Sequence, residues 1–217
     1  MLRFYIVVLA LAALICPAQL DQQPRVVGLM PVPPKPVLEN EFVSVGVLEN
    51  PNNQPFSFIA RLPTVRISVL DGSEVLSEVT AKYYSAHQHA SVSYPKGRPT
   101  LREIAIELKS QPPEQPFARD AVKLDPQHNL VLFENSHIRV VRVRFGLGEK
   151  GPVVDKRPRV IILLNDMHAD VARHEGDPPS ARDGKAGVIQ WSLGGSQATM
   201  NRNETILDNI VVEIKGK

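Results

Sequence analysis

The feature that most constrains this chain is an internal repeat. Residues 37–45 (VLENEFVSV) return 95 positions later as residues 132–140 (LFENSHIRV). Several later positions keep the same spacing: Pro63 and Pro158, Val65 and Val160, Asp71 and Asp166. Ordered matches at one spacing indicate the duplication of a structural unit. The unit is too long for a solenoid repeat and suits a small all-β domain.

The two copies differ in length. Residues 106–109 (IELK) match residues 212–215 (VEIK) at a spacing of 106, which exceeds the earlier spacing of 95 by eleven. The second copy therefore carries eleven extra residues, and we expect them around the polar stretch 174–185.

Apolar and polar residues alternate within each copy, for example over residues 65–69, 104–108 and 141–145. Alternation puts the apolar side chains on one face of a strand. Residues 160–164 are continuously apolar, which is typical of a strand covered on both faces. Glycine-containing turns separate these runs, and no long window has a helical period. The sequence predicts short strands without helices, in a sandwich or barrel.

Prolines and an apolar leader divide the chain. Residues 1–18 contain one arginine, twelve consecutive apolar residues and a small final residue, which is the plan of a secretory signal peptide. The apolar run is too short for a stable transmembrane anchor. Residues 19–36 are expected to form a Pro-rich extended arm and residues 110–127 a Pro-rich linker. The two barrels then occupy residues 37–109 and 128–217, in a protein exported to the periplasm or the extracellular space.

Composition excludes some kinds of chemistry and partner. The formal net charge is +2 and charges of both signs are mixed along the chain, so no nucleic-acid surface is predicted. The densest basic run, residues 154–159, is interpreted as a solvated loop, with a phosphate or acidic-ligand site as the alternative. Cys16, the only cysteine, lies in the predicted leader, so the mature chain has no disulfide or thiolate chemistry.

The second copy carries an ordered set of motifs. They are residues 129–135, residues 139–150, residues 160–166, then Gly187 with Trp191, and finally residues 212–215. In this order the motifs resemble the cupin superfamily, small jelly-roll barrels that often occur duplicated as bicupins. The first copy is related to the superfamily through the internal repeat. The resemblance implies an all-β fold of two tandem cupin-like jelly-roll β-barrels.

Cupins of this type are expected to place a His-x-His pair before the continuous apolar strand and a third histidine after the tryptophan hairpin. Such imidazoles hold a divalent metal. The matching positions here are Val154, Lys156 and Gln197, and the first copy has Ile59 and Arg61 for the pair. An aliphatic group offers no lone pair, and a cationic group repels a metal ion. The resemblance therefore implies that both copies have lost the metal site, and no cofactor is expected.

His87 and His89 are an exception to this loss. His89 follows Tyr83 by six residues, where the third family histidine would lie if Tyr83 replaces the tryptophan. On a strand, both imidazoles would project from one face. One hypothesis is a divalent metal site at His87 and His89. The interpretation that we favour is a polar hairpin with solvated histidines.

Two functional hypotheses follow. We favour an exported, non-catalytic bicupin-like protein that binds a small anionic or hydroxylated ligand or has a structural role. The alternative is a cupin-type enzyme, dependent on a metal at His87 and His89 or acting as a metal-free isomerase or epimerase. Self-association and docking of the Pro-rich arm elsewhere remain open. The candidate ligand-binding residues are Arg61, Lys156, Gln197, Asn201 and Trp191, although Trp191 is also expected to pack in the core.

Overall fold

The structure is a computed structural model that describes residues 36–50, 55–70, 78–92 and 101–217. The predicted signal peptide, with Cys16, and all but the last residue of the predicted Pro-rich arm lie outside the described residues. Within those described ranges, no helix has the length and apolar character needed to cross a membrane.

The first half forms one large sheet and one small sheet. Its strands, within the described ranges, are β1 (Leu38–Glu39), β2 (Val43–Asn50), β3 (Phe56–Ile59), β4 (Thr64–Leu70), β5 (Glu78–Tyr84), β6 (His89–Val92) and β7 (Leu101–Leu108). Five of them make an antiparallel sheet in the order β1-β2-β7-β4-β5, and β3 pairs with β6 in the second sheet.

The second half repeats this plan with two additional strands. Its elements are α1 (Ala121–Leu124), β8 (Asn129–Glu134), β9 (Ile138–Phe145), β10 (Val154–Lys156), β11 (Arg159–Leu163), β12 (Met167–Ala172), β13 (Ser180–Gly184), β14 (Ile189–Ser192), β15 (Gly195–Asn201) and β16 (Leu207–Ile214). One sheet has the order β14-β11-β16-β9-β8 and the other the order β10-β15-β12-β13. The predicted all-β, jelly-roll fold is confirmed.

The two five-stranded sheets pack against each other and share one hydrophobic core. Its fully buried side chains come from both halves: Val43, Val45, Val65, Ile67, Ile104, Ile106, Ile138, Val140, Val160, Ile162, Ile210, Val212 and Ile214. Each strand contributes alternate residues because successive side chains point to opposite faces. The second face of each large sheet is therefore directed at the smaller sheet of its own half.

The repeated sequence builds the same turn twice. Asn40 Oδ1 accepts hydrogen bonds from two backbone N–H groups two and three residues further on, at 2.8 and 2.9 Å. Asn135 Oδ1 does the same at 2.8 and 2.9 Å. The lysine that directly follows the last strand of each half donates a hydrogen bond to the backbone carbonyl of this asparagine. The distance is 2.7 Å for Lys109 and 2.6 Å for Lys215. The spacing repeated in the sequence thus corresponds to a set of contacts repeated in the two halves.

The extra residues of the second half lie in a hairpin of β12 and β13. Val65 is opposite Tyr83 and Val160 is opposite Trp191 in register, so Tyr83 and Trp191 are equivalent and lie 108 residues apart. This exceeds the spacing of 95 by thirteen, and the later spacing of 106 shows that two residues are lost again afterwards. The predicted location around residues 174–185 overlaps this hairpin.

The segment between the halves contains α1, a single helical turn that contradicts the expectation of no helix. Asp120 begins it by accepting a hydrogen bond from the Val122 N–H at 3.0 Å. The same carboxylate binds the Arg139 guanidinium through two hydrogen bonds of 2.9 Å. Burial opposes ionisation of Asp120, but these bonds and the charge of Arg139 outweigh it and lower the pKa of Asp120. The segment is thereby attached to the second half.

Candidate functional site

A cavity of about 710 Å³ lies between the two sheets of the second half. Strand β11 shows how the wall forms, because Arg159 and Ile161 line the cavity while Val160 and Ile162 face the shared core. This division follows from the alternation of side chains along a strand. The volume is in the range of small-molecule sites.

Two cationic side chains enter the cavity from opposite sheets. Lys156 ends β10 in the four-stranded sheet, and Arg159 begins β11 in the five-stranded sheet, with Pro158 in the short crossing between them. Gly194, at a φ of 91°, lets the adjacent hairpin approach this crossing, since a Cβ there would collide with the Lys156 carbonyl. The backbone therefore fixes both cations at one end of the cavity.

Partial burial of Lys156 and full burial of Arg159 make both charges costly. Burial first, and then the positive charge of Arg159, lower the pKa of Lys156 from 10.5 to about 8. Burial also lowers the pKa of Arg159 to about 10, although the Glu213 carboxylate acts in the opposite direction. Two like charges in a poorly solvated space disfavour each other's ionised form.

The cations have few partners in the protein. Arg159 Nη1 donates to the Arg157 carbonyl at 3.2 Å, and within the described residues Lys156 Nζ makes no hydrogen bond or salt bridge. Glu213 lies opposite Arg159 in register, but its carboxylate binds Arg139 at 2.7 and 2.8 Å. Among the described residues, neither Lys156 nor Arg159 therefore forms a salt bridge with a carboxylate.

Polar neutral groups line another part of the wall, which Arg173, Arg182 and Asp183 also line. Gln190, Gln197 and Asn209 contribute amides, and Ser192 and Ser196 contribute hydroxyl groups. Asn209 is only 7 % exposed, and its Oδ1 has no hydrogen-bond partner among the described residues. Buried acceptors are normally paired, so this oxygen marks a position where a donor is expected.

The structure brings Val154, Lys156 and Gln197 together, at the positions that the family resemblance indicates for metal ligands. Val154 is directly opposite Gln197 in the register of β10 and β15. Lys156 and Gln197 both line the cavity, and Val154 is buried beside them. The equivalent positions of the first half, Ile59 and His89, are also directly opposite each other.

Asn201, a predicted ligand-binding residue, is not among the residues that line the cavity. Its side-chain amide donates to the carbonyl groups of Phe145, Gly146 and Thr205 at 2.8 to 3.0 Å. Its Oδ1 accepts the N–H of Asn203 at 2.8 Å. With 1 % of its surface exposed, Asn201 holds two loops together.

Trp191 contributes to the cavity wall, but its ring lies on the other side of the sheet. It is opposite Val160, whose side chain is in the shared core. The indole stacks on Phe42 of the first half, with ring centroids 5.5 Å apart. The core-packing expectation is correct, and the geometry does not offer the ring for stacking on a ligand in the cavity.

The candidates of the first half are at the surface. Arg61 is exposed in the turn between β3 and β4. His87 lies in a turn at a φ of 63°, and only His89 belongs to a strand. The two histidines therefore do not lie on one strand, as a shared face would require. Within the described residues, no group of three or more His, Cys, Asp or Glu side chains is placed to hold a metal ion.

Arg159 and Asn209 were not among the candidate ligand-binding residues, although Arg159 belongs to the basic run whose alternative interpretation was a phosphate or acidic-ligand site. The basic run at residues 154–159 is not a solvated loop, since it forms β10 and the start of β11, and Arg159 is 3 % exposed. The sequence signal for the burial of Arg159 was its position directly before the continuous apolar strand. Asn209 carries no comparable signal, because a polar residue in an alternating strand normally faces solvent.

Comparison with known proteins supports the architecture. No protein-family profile and no curated protein matches the sequence. Among solved structures, AerE from Microcystis aeruginosa is 14% identical, covering 83% of this chain and 96% of that chain, with a TM-score of 0.52. A cupin 2 conserved barrel domain protein from Leptotrichia buccalis is 10% identical, covering 83% and 87%, with a TM-score of 0.43.

A shorter protein matches part of the chain. A cupin domain protein from Bordetella pertussis is 19% identical, covering 41% of this chain and 92% of that chain, with a TM-score of 0.38. At these identities the likeness concerns the fold. By its architecture and the likeness of its fold to that of AerE, this chain has a jelly-roll fold present in two copies.

Proposed function

We propose that this protein is an exported, non-catalytic binding protein whose second half holds a small anionic molecule bearing hydroxyl groups. The observation that carries the proposal is the placement of Lys156 and Arg159 in one cavity, where neither forms a salt bridge with a described carboxylate. A buried charge is costly unless it is paired. A carboxylate or phosphate in the cavity would supply the missing counter-charge. Export is supported by the leader-like residues 1–18.

The position of Lys156 adds support. It occupies a place where the family resemblance implies a metal-binding imidazole, next to Val154 and Gln197. An ammonium there supplies positive charge directly, as a bound metal ion would. An anionic ligand can therefore be held without a metal.

The neutral groups indicate the remainder of the ligand. Asn209 Oδ1 is a buried acceptor without a described partner, so it suits a ligand hydroxyl group. Gln190 and Gln197 offer both donors and acceptors from the same wall. A polyhydroxylated carboxylate or phosphate matches this combination of groups.

Calorimetry and thermal unfolding of the purified protein test the proposal. Gluconate and glucose 6-phosphate should bind and raise the melting temperature, whereas uncharged glucose should do neither. Lys156→Met and Arg159→Met should each weaken anion binding about tenfold or more, because each removes a charge-assisted hydrogen bond worth roughly 1.5–3 kcal/mol.

Surface variants provide the matched control. Arg61→Met and Lys185→Met remove charges that are exposed and should leave the affinity unchanged. Circular dichroism checks that every variant is folded. Equal anion binding by the wild type and by the double variant Lys156→Met with Arg159→Met would reject the proposal.

A metal-dependent enzyme is the second candidate, and the register of His89 opposite Ile59 is the observation in its favour. Elemental analysis of the purified protein decides between the two. Near-stoichiometric Zn, Fe, Mn or Ni that is lost from the variant His87→Ala with His89→Ala would favour the enzyme. The binding-protein proposal expects the same metal content in the variant and the wild type.

A further inference from the structure

Lys156 has the surroundings of a nucleophilic amine. Its Nζ has no hydrogen-bond or salt-bridge partner among the described residues, and its side chain lines a cavity of about 710 Å³. Arg159 lies in the same cavity wall. A lysine that is desolvated beside another cation is activated for reaction with carbonyl compounds. A lysine that only binds anions does not need a depressed basicity.

We propose that the cavity captures 2-oxo acids by reversible formation of an imine on Lys156, with Arg159 holding the carboxylate. This rests on the proposed function, since the same cations bind the anionic group. It adds that the ligand carries a carbonyl carbon next to its carboxylate.

The two cations suit the two functional groups of such a ligand. A 2-oxo acid presents its electrophilic carbon one bond from its carboxylate, and Lys156 and Arg159 approach the same end of the cavity from opposing sheets. Arg159 remains protonated at neutral pH and is suited to a carboxylate. Asp183, at the cavity wall, is already paired with His168 Nδ1 at 2.8 Å. Among the described residues, Asp183 forms no salt bridge with Lys156 or Arg159.

The reaction balances without an added oxidant or reductant. The lone pair of the neutral Lys156 amine attacks the carbonyl carbon, a C–N bond forms, and the carbonyl π electrons move to oxygen. A proton moves from nitrogen to that oxygen, which gives a carbinolamine. A solvent proton then allows the hydroxyl group to leave as water, and the protonated imine remains. Addition of water reverses every step and releases the ligand.

The acid–base behaviour of Lys156 is consistent with this chemistry. With a pKa of about 8, roughly half of the side chain is neutral at pH 8. An ordinary lysine, with a pKa of about 10.4, is almost entirely protonated there. Imine formation should therefore become slower as the pH falls below 8, because the nucleophilic form becomes scarce.

Reductive trapping tests the inference. The purified protein is incubated with pyruvate, glyoxylate or 2-oxoglutarate and cyanoborohydride, and the adducts are located by mass spectrometry of intact protein and peptides. One adduct per chain, on Lys156, is expected, with a lower rate at pH 6 than at pH 8. Lys156→Arg should abolish this adduct, and Arg159→Met should slow its formation at least tenfold. Lys185→Arg is the matched surface control and should leave trapping unchanged.

The thermal shift with the same acids, measured without reductant, separates this inference from the proposed function. Lys156→Arg keeps the positive charge, so it should retain part of the stabilisation by the acids while losing the adduct. Stabilisation of the wild type without a specific adduct on Lys156 overturns the imine and leaves anion binding in place. Absence of both stabilisation and adduct overturns both proposals.

Discussion

At equivalent positions, the interior of the first half is filled by side chains and that of the second half is open. In the first half, Arg66 forms a buried ion pair with Glu103, and these residues are 3 % and 1 % exposed. The Arg66 guanidinium also lies over the rings of Phe56 and Phe58, 4.6 and 4.9 Å from their centroids. The space between the two sheets of this half is thus occupied by paired charges and aromatic rings.

In the second half the equivalent residues leave the space open. Ile161 replaces Arg66, Asn209 replaces Glu103, and Ser192 replaces Tyr84, as the spacings of 95, 106 and 108 residues and the strand registers show. All three line the cavity. Short or neutral side chains have taken the place of the ion pair and the aromatic ring.

Under the proposed function, this difference divides two tasks between the copies of the fold. One copy is filled and electrically balanced, which favours stability. The other is open and carries the positive charges of Lys156 and Arg159, which suit the proposed anionic ligand at the expense of stability. The following predictions test that division, beginning with the largest effect.

Removal of one partner of the buried ion pair should be strongly destabilising. Glu103→Ala removes a carboxylate that pairs with the buried Arg66 guanidinium, which should lower the free energy of unfolding by about 3–5 kcal/mol. Asn209→Ala, at the equivalent position of the second half, should cost less than about 1 kcal/mol because Asn209 Oδ1 has no described partner. Guanidinium unfolding measures both. Similar costs for the two variants would contradict the division of tasks.

Replacement of the cavity lysine, Lys156, should instead raise the free energy of unfolding. Lys156→Met removes a desolvated charge and keeps the length of the side chain, so it should raise the free energy of unfolding by about 1–3 kcal/mol at pH 7. Arg61→Met, at the equivalent but exposed position of the first half, should change it by less than about 0.5 kcal/mol.

The pH dependence of that gain follows from the pKa of Lys156, which is lower in the folded protein than the ordinary value of 10.5. The unfolded chain binds the proton more tightly, so the folded wild type is penalised in full below pH 8. The penalty decreases between pH 8 and 10.5, and above 10.5 the wild type and Lys156→Met should be equally stable. A constant difference between pH 7 and 10.5 would show that packing, not charge, causes the effect.

The fold was largely predictable because it depends on sequence patterns that occur in both halves of the chain. The spacing of 95 correctly made Ile59 equivalent to Val154. Counting six residues from the hairpin aromatic of each half correctly placed His89 opposite Ile59 and Gln197 opposite Val154. Alternating residues also identified the strands. The shared core was not predictable, because alternation tells which face of a strand is apolar but not which sheet covers it.

The site was predictable only in part. Lys156 and Gln197 were placed in the cavity because strand register fixes which residues face each other. Arg159 was missed because a charge in a basic run is normally solvated, and its burial depends on the second sheet. Asn201 was misplaced because its amide satisfies loop carbonyls that are distant in sequence.

The smallest predicted effects concern the turns that both halves share. Asn40→Ala and Asn135→Ala each remove an oxygen that accepts two backbone N–H groups at 2.8 and 2.9 Å, so each should cost about 1–2 kcal/mol. The replacements Asn40→Asp and Asn135→Asp keep the acceptor and should cost less. Because the contacts of the two turns are the same, the two alanine variants should differ by less than about 0.5 kcal/mol in urea unfolding. A much larger cost in one half would mean that the halves have diverged in their turns as well as in their interiors.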